Sequence, residues 1–390
     1  MSEFKGSIAQ VNVQFPIETV IEPIAGENYS RAIIFMHLDL ASVNLPGVDS
    51  PSAGLKVELD SSTYEELTGD KLKKWLTPFF TSAQAAKVAV ALYDTDTTSE
   101  VDDGAGGTTT VTTPAVSPLG AVYDAYKYWA YFKFMLATSE NEQDEQVNLA
   151  VLCLADPLYS RLWVGLSDSD VLTKSSALVT ALKNAKANAR VIYNPDTDIN
   201  PALSQLGDSL AVINSTGTPV GNDIDGHAFN NGTKASGGLD SDGNRVNLTA
   251  TQKSALDEQK IGYNTWCGDG TENVVTEGSL TLEGNVECAD WIKHYIEYLC
   301  KIKSANYMTQ RNRFRNNAEY QATLAILSDV VKPFVDFGRF ANFVITAPTF
   351  SNLPASADSF TVPNAWKAHF IDRIRNITVY GTLYVTKPSK

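Results

Sequence analysis

SSTYEELTGDKLKKWLTPFFTSAQAAKVAVALY, residues 61–93, carries two hydrophobic periods in succession. Tyr64, Leu67, Leu72, Trp75 and Leu76 recur at helical spacing, which predicts a helix capped by Ser61 or Ser62 and stopped by Pro78. AAKVAVALY, residues 85–93, is then a short apolar run of strand length. Upstream, RAIIFMHL (31–38) reads as another strand, followed by a Pro/Gly/Ser-rich loop over 44–54. Strand, helix and strand in that order predict a β–α–β unit.

Downstream, 94–118 mixes acids, Gly, Thr and Pro without periodicity and reads as an exposed loop or hairpin. An aromatic helix is expected over 119–137, then the acidic loop SENEQDE, strands at 149–154 and 162–166, a helix near 173–188, and strands at 189–193 and 209–213. A polar Gly/Asn/Asp stretch covers 214–247. Thr249 and Gln252 stand at capping-box spacing and open a helix to 260, before a short strand in IGYNTW. Helices are expected at 289–303 and 314–331, the latter ending at Pro333, with a strand in FANFVIT. Helices that separate apolar strands imply a largely parallel, sandwiched sheet.

Both ends are amphipathic strands. Val11, Val13 and Phe15 alternate with Gln10, Asn12 and Gln14; Ile377, Val379, Leu383 and Val385 alternate with Thr378, Tyr380, Thr382 and Tyr384. The chain has 390 residues, a soft prior of two or three domains, and 43 % hydrophobic with 19 % charged residues is a folded composition. Against 31 Lys and Arg stand 45 Asp and Glu, a net charge of −14 that opposes binding to nucleic acid or anionic lipid. The charge is uneven: residues 301–390 hold 12 basic and 5 acidic residues, +7, leaving −21 for residues 1–300. The first residues lack the apolar run of a secretory signal, and no window approaches 18 uncharged apolar residues, so cytoplasmic folding without a membrane span is expected.

Catalytic motifs are missing from the sequence. It contains no GxSxG, no GxGxxG after a strand and no GxxxxGK[ST]; His37, His227, His294 and His369 are dispersed, and Cys153, Cys267, Cys288 and Cys300 form no CxxC pair. Asp240, Asp242 and Asn244 imitate the start of a calcium loop, but Arg245 holds its glycine position and Thr251 its closing acid. The reading is no catalytic, cofactor or metal site. The densest basic cluster is RNRFR, with Arg311, Arg313 and Arg315.

The order of segments resembles the contractile-tail sheath proteins of bacteriophages and related injection machines. The resemblance rests on residues 61–93, on LTATQKSALDEQKIGYNTW (248–266), on EGSLTLEGNVECADWIKHYIEYLCKIK (277–303) and on VPNAWKAHFIDRIRNITVYGTLYV (362–385), with Asp372 and Arg373 before the last strand. It implies an α/β (α+β) fold of mixed sheets flanked by helices, with terminal strand arms that pair with neighbouring subunits. The implied organisation is an arm at 1–16, an N-terminal region at 17–248 with polar loops 94–118 and 214–247, a tube-facing C-terminal region at 249–375, and a linking strand at 376–390. The implied function is a structural subunit, made in the host cytoplasm and placed in the virion tail, that polymerises around a tail tube and contracts to drive it through the host envelope. Its partners would be further copies of itself, the tail tube protein, and baseplate and tail-terminator proteins, with no nucleic acid, no membrane insertion and no cofactor. Val11, Val13, Phe15, Ile377, Val379, Leu383 and Val385 would pair between subunits, and Arg311, Arg313, Arg315 and Arg339 would face the tube. A competing reading pairs those arginines with the acidic stretches 94–103 and 139–145 of neighbouring subunits. Another self-assembling virion protein, such as a tube, terminator or capsid protein, and an α/β enzyme or ligand-binding domain are the alternatives.

Overall fold

The computed structural model describes residues 29–40, 45–68, 70–102, 108–138, 141–210, 228–229, 236–238, 246–266, 274–278, 280–309, 316–353 and 366–370. Its strands are β1 (Arg31–His37), β2 (Lys56–Leu59), β3 (Lys87–Tyr93), β4 (Thr97–Asp102), β5 (Thr108–Thr113), β6 (Phe132–Leu136), β7 (Arg161–Leu166), β8 (Arg190–Tyr193), β9 (Ala228–Phe229), β10 (Gly262–Trp266), β11 (Val274–Glu277), β12 (Phe340–Ile345) and β13 (Trp366–Phe370). The helices are α1 (Asp70–Ser82), α2 (Leu119–Tyr126), α3 (Glu142–Ala155), α4 (Ala177–Asn184), α5 (Pro201–Leu210), α6 (Ala250–Gln259), α7 (Glu287–Thr309) and α8 (Asn317–Asp336).

Nine strands form one sheet in the order β2-β3-β1-β6-β7-β8-β10-β11-β9. The six from β3 to β10 are mutually parallel, and β2 and β11 run antiparallel to their neighbours. Alternation along β1 explains why: Ala32, Ile34 and Met36 enter one apolar cluster, Ile33 and Phe35 the other, so the strand is buried on both faces. Residues of α1, α5, α7 and α8 fill the first cluster, and those of α2, α3, α4 and α6 the second. The β–α–β unit expected from residues 31–93 is present, with Arg31 to His37 in register with Lys87 to Tyr93. The boundary expected between residues 248 and 249 falls between β8 and its parallel neighbour β10.

Several sequence expectations need correction. Ser61 and Ser62 do not cap α1; a 3-10 turn over Thr63–Glu66 intervenes, closed by the Asp60 carboxylate, which accepts from the Ser62 and Thr63 amides at 2.9 Å. Pro78 does not stop α1 but lies within it. An interior proline costs about 3 kcal/mol, whereas Phe79 and Phe80 just beyond it are buried, each recovering about 1.5–3 kcal/mol. Pro333 likewise lies inside α8. The helix expected over 119–137 divides into α2 and the buried strand β6, because Phe132–Leu136 pairs with β1. The strand expected at 149–154 is part of α3: its apolar run is ambiguous by period, and Glu142, Asp144 and Glu145 favour a helix start through the dipole. Ser209 and Leu210 end α5 rather than open a strand, and 211–213 lie outside the described residues. The capping box of Thr249 and Gln252 forms as expected.

The close seating of α5 on α1 depends on Gly207. A Cβ there would stand 2.7 Å from the Phe79 Cα and carbonyl oxygen, which are backbone atoms that cannot swing aside. Gly207→Ala is therefore expected to destabilise the fold by about 1–3 kcal/mol through overpacking, although alanine is the better helix former. Urea midpoints of variant and wild type check this; an unchanged or raised midpoint would contradict the close contact.

Candidate functional site

The first helical turn of α7 is fastened to the sheet by a buried cation. Arg161 opens β7 and is 3 % exposed. Its Nη2 donates to Asp290 Oδ2 at 2.8 Å, its Nη1 to the Asn188 carbonyl at 2.7 Å, and its Nε lies 3.6 Å from Glu287 Oε2. The side-chain amides of Asn188 and Asn285 each donate to Asp290 Oδ2 at 3.1 Å, and the Trp163 indole donates to Glu287 Oε1 at 3.3 Å. The two carboxyls respond differently. Burial outweighs the Arg161 charge at Glu287 and pushes it up to about 7, whereas Arg161 and its hydrogen bond hold Asp290 below the ordinary range. One turn along, His294 Nδ1 meets the Tyr131 hydroxyl at 2.7 Å, and burial followed by the Arg161 charge pushes it down to about 3. The imidazole is neutral at pH 7.

Aromatic rings complete the joint. Tyr29 stacks on Tyr131 with centroids 4.8 Å apart and lies 4.9 Å from Tyr295 and 5.1 Å from Tyr298, while the Trp291 indole donates to the Tyr29 carbonyl at 3.2 Å. A cavity of about 220 Å³ beside it is lined by Cys153, Arg161, Asn188 and His294 among others. Burial pushes the Cys153 thiol up to about 12, so it is a poor nucleophile. Among the described residues no group of three His, Cys, Asp or Glu could hold a metal ion.

On this anchored helix rests α8, whose end directs β12. The Gly338 amide donates to the Val335 carbonyl at 2.9 Å and the Arg339 amide to the Phe334 carbonyl at 2.8 Å, a Schellman closure with Gly338 at φ +77°. The chain turns there into β12, which pairs antiparallel with β13 across a register shift between Ala341 and Val344. Phe340 and Phe343 each pack 6.0 Å from Trp366, and Phe334 lies 6.1 Å from Phe340, so the sheet has an aromatic underside joined to the core. Among the described residues β12 and β13 pair only with each other, which leaves each strand with an outer edge of N–H and C=O groups. Val344 is 53 % exposed and Ile345 37 %. Such a platform is chemically suited to accepting further strands.

The strand-pairing residues expected from the sequence, Val11, Val13, Phe15, Ile377, Val379, Leu383 and Val385, lie outside the described residues, as do Arg311, Arg313 and Arg315. Cys267, His227 and the imitation calcium loop at Asp240, Asp242 and Asn244 do too. Arg339 is described: it opens the turn into β12, is half-buried, and holds its guanidinium 5.6 Å from the exposed Phe337 ring. Sequence reasoning missed β13 and the Arg161 cluster. The only available signal was charge inside apolar runs, Arg161 before LWVGL and Asp290 before WI.

No protein-family model and no curated protein matches the chain. Among solved structures it is similar to a chain of the anti-feeding prophage baseplate determined by cryo-EM, with a TM-score of 0.59 at 10 % identity over 92 % of this chain and 94 % of that one. The sheath tail protein of Listeria innocua matches with a TM-score of 0.40 at 11 % identity over 83 % and 90 % of the two chains. The baseplate likeness, at its low identity, shows a common fold that extends over nearly the whole of both chains.

The neutral His294 sets a pH dependence. Its folded pKa of about 3 is below the ordinary 6.5, so unfolding takes up a proton between those values and stability is lost as pH falls through that window. His294→Asn keeps an acceptor for Tyr131 and removes the titration. Its stability minus that of the wild type is expected to fall by up to about 1.4 kcal/mol per unit as pH rises from 4 toward 6.5, then to level off. Denaturant titrations across pH 4–8 measure the difference; parallel profiles would contradict a neutral buried imidazole.

Proposed function

We propose that this chain is a structural subunit of a contractile tail sheath, which polymerises as stacked rings around a tail tube and contracts to drive the tube through a host envelope. The observation that carries the reading is the near end-to-end fold likeness to a chain of the anti-feeding prophage baseplate. The β12/β13 sheet supports it, because among the described residues its two strands pair only with each other, and a sheet edge of that kind accepts strands by β-augmentation. In this proposal the arms 1–16 and 376–390 come from neighbouring copies. Val11, Val13 and Phe15 of one arm, and Ile377, Val379, Leu383 and Val385 of the other, fix register through alternate side chains.

The C-terminal region 249–375 faces the tube in this reading, and Arg311, Arg313, Arg315 and Arg339 grip acidic groups there. Exposed pairs of this kind contribute about 0.2–1 kcal/mol each, so a ring of them holds by repetition and still yields on contraction. The sheath would work by rigid-body movement between assembled states, without turnover chemistry, and its subunits would reside in the tail of a virion or tail-like particle.

Truncation tests the arms directly. Chains lacking residues 1–15 or 376–390 are expected to keep the wild-type thermal midpoint and remain monomeric, while the full chain forms helical tubes of fixed bore in negative stain. Loss of folding on truncation would make these segments core strands, and closed shells instead of tubes would favour a capsid protein.

A further inference from the structure

Residues 94–118, which the sequence leaves open as an exposed loop or a hairpin, contain the paired strands β4 and β5, and these are unlike the rest of the molecule. All twelve strand residues are exposed, and the ribbon forms a sheet of its own. Its root is fixed by backbone and carboxylates: Asp94 bridges to Pro118 and accepts from the Val116 and Ser117 amides at 2.9 and 2.7 Å, and Asp96 accepts from the Ala115 amide at 2.9 Å. The ribbon is thus held out from the C-terminal end of β3 by design of its base.

Its register separates two faces. Ser99 pairs with Val111 and Val101 with Thr109, which places both valines on one face, while Glu100 opposite Thr110 and Asp102 opposite Thr108 make the other acidic. Apolar and acidic alternation of this kind belongs to a hairpin covered on one side, yet Val101 is 48 % and Val111 44 % exposed. An isolated two-stranded ribbon is marginal in water, so its pattern calls for a cover. Residues 94–118 contain five acids and no Lys or Arg, whereas residues 301–390 carry +7. Exposed lysines of that segment include Lys303, Lys332 and Lys367.

We propose that the β4/β5 ribbon docks on a second copy of this chain, which covers the Val101/Val111 face, while long lysine side chains of its C-terminal part reach round the edge of the narrow ribbon to Glu100 and Asp102 on the other face. The contact is intermolecular and independent of the terminal arms. It rests on the self-assembly reading above, and the two can fail separately.

The test compares sedimentable polymer formed by full-length chains, with thermal midpoints as a folding control. Glu100→Lys/Asp102→Lys is expected to fold normally and to raise the critical concentration about tenfold, the loss of two ion pairs and their steering. Mixing it with a Lys303→Glu/Lys332→Glu/Lys367→Glu copy is expected to restore polymer. A chain in which a Gly-Ser linker replaces 97–113 should also fold and fail to assemble. If the wild type polymerises and these variants do so equally, the ribbon is not a contact and this proposal falls alone. If the charge-swapped copy gives no rescue, the assigned partner is wrong. A wild type that stays monomeric at every concentration would overturn both readings.

Discussion

A buried guanidinium fastens α7 to the parallel sheet. Arg161 belongs to the parallel sheet, and the two carboxyl groups that face its charge, Glu287 and Asp290, both belong to the first turn of α7. Removing one partner of such a buried cluster costs about 3–5 kcal/mol, because the remaining charge has no water to return to. The helix therefore has one seat. Its position determines where α8 runs, and the Gly338 turn determines where β12 begins, so the location of the β12/β13 sheet follows from a charge pair about 50 residues or more earlier in the chain.

The fold was most legible where burial acts on both sides of a strand. IIFM and VAVAL announce themselves because a central parallel strand has no solvated face to record in the sequence. The same property misled the reading of NLAVLC, where a helix packed on one face shows an apolar run as dense as a strand's. Pro78 and Pro333 misled for another reason: local propensity disfavours a helix there, and the aromatic burial that outweighs it involves residues distant in sequence. The Arg161 cluster is assembled from residues 161, 188, 285, 287 and 290, a convergence that no local pattern encodes.

The treatment of strand edges carries the argument from fold to role. At one edge of the main sheet, β2 is short and charged: Lys56 and Glu58 pair at 2.6 Å, the Trp129 indole donates to Glu58 at 2.9 Å, and the Lys56 ammonium lies 4.9 Å from the Trp129 ring. Charges and a covering aromatic are the usual means of refusing a further strand. β12 has no such protection in Phe340–Ile345, which carries no charged residue and exposes Val344 and Ile345. A chain that guards one edge and leaves another apolar and unpaired among its described residues has edges of two kinds. An apolar edge is a template for a further strand, and strands of alternating apolar residues, as the sequence places at both of its ends, match it chemically.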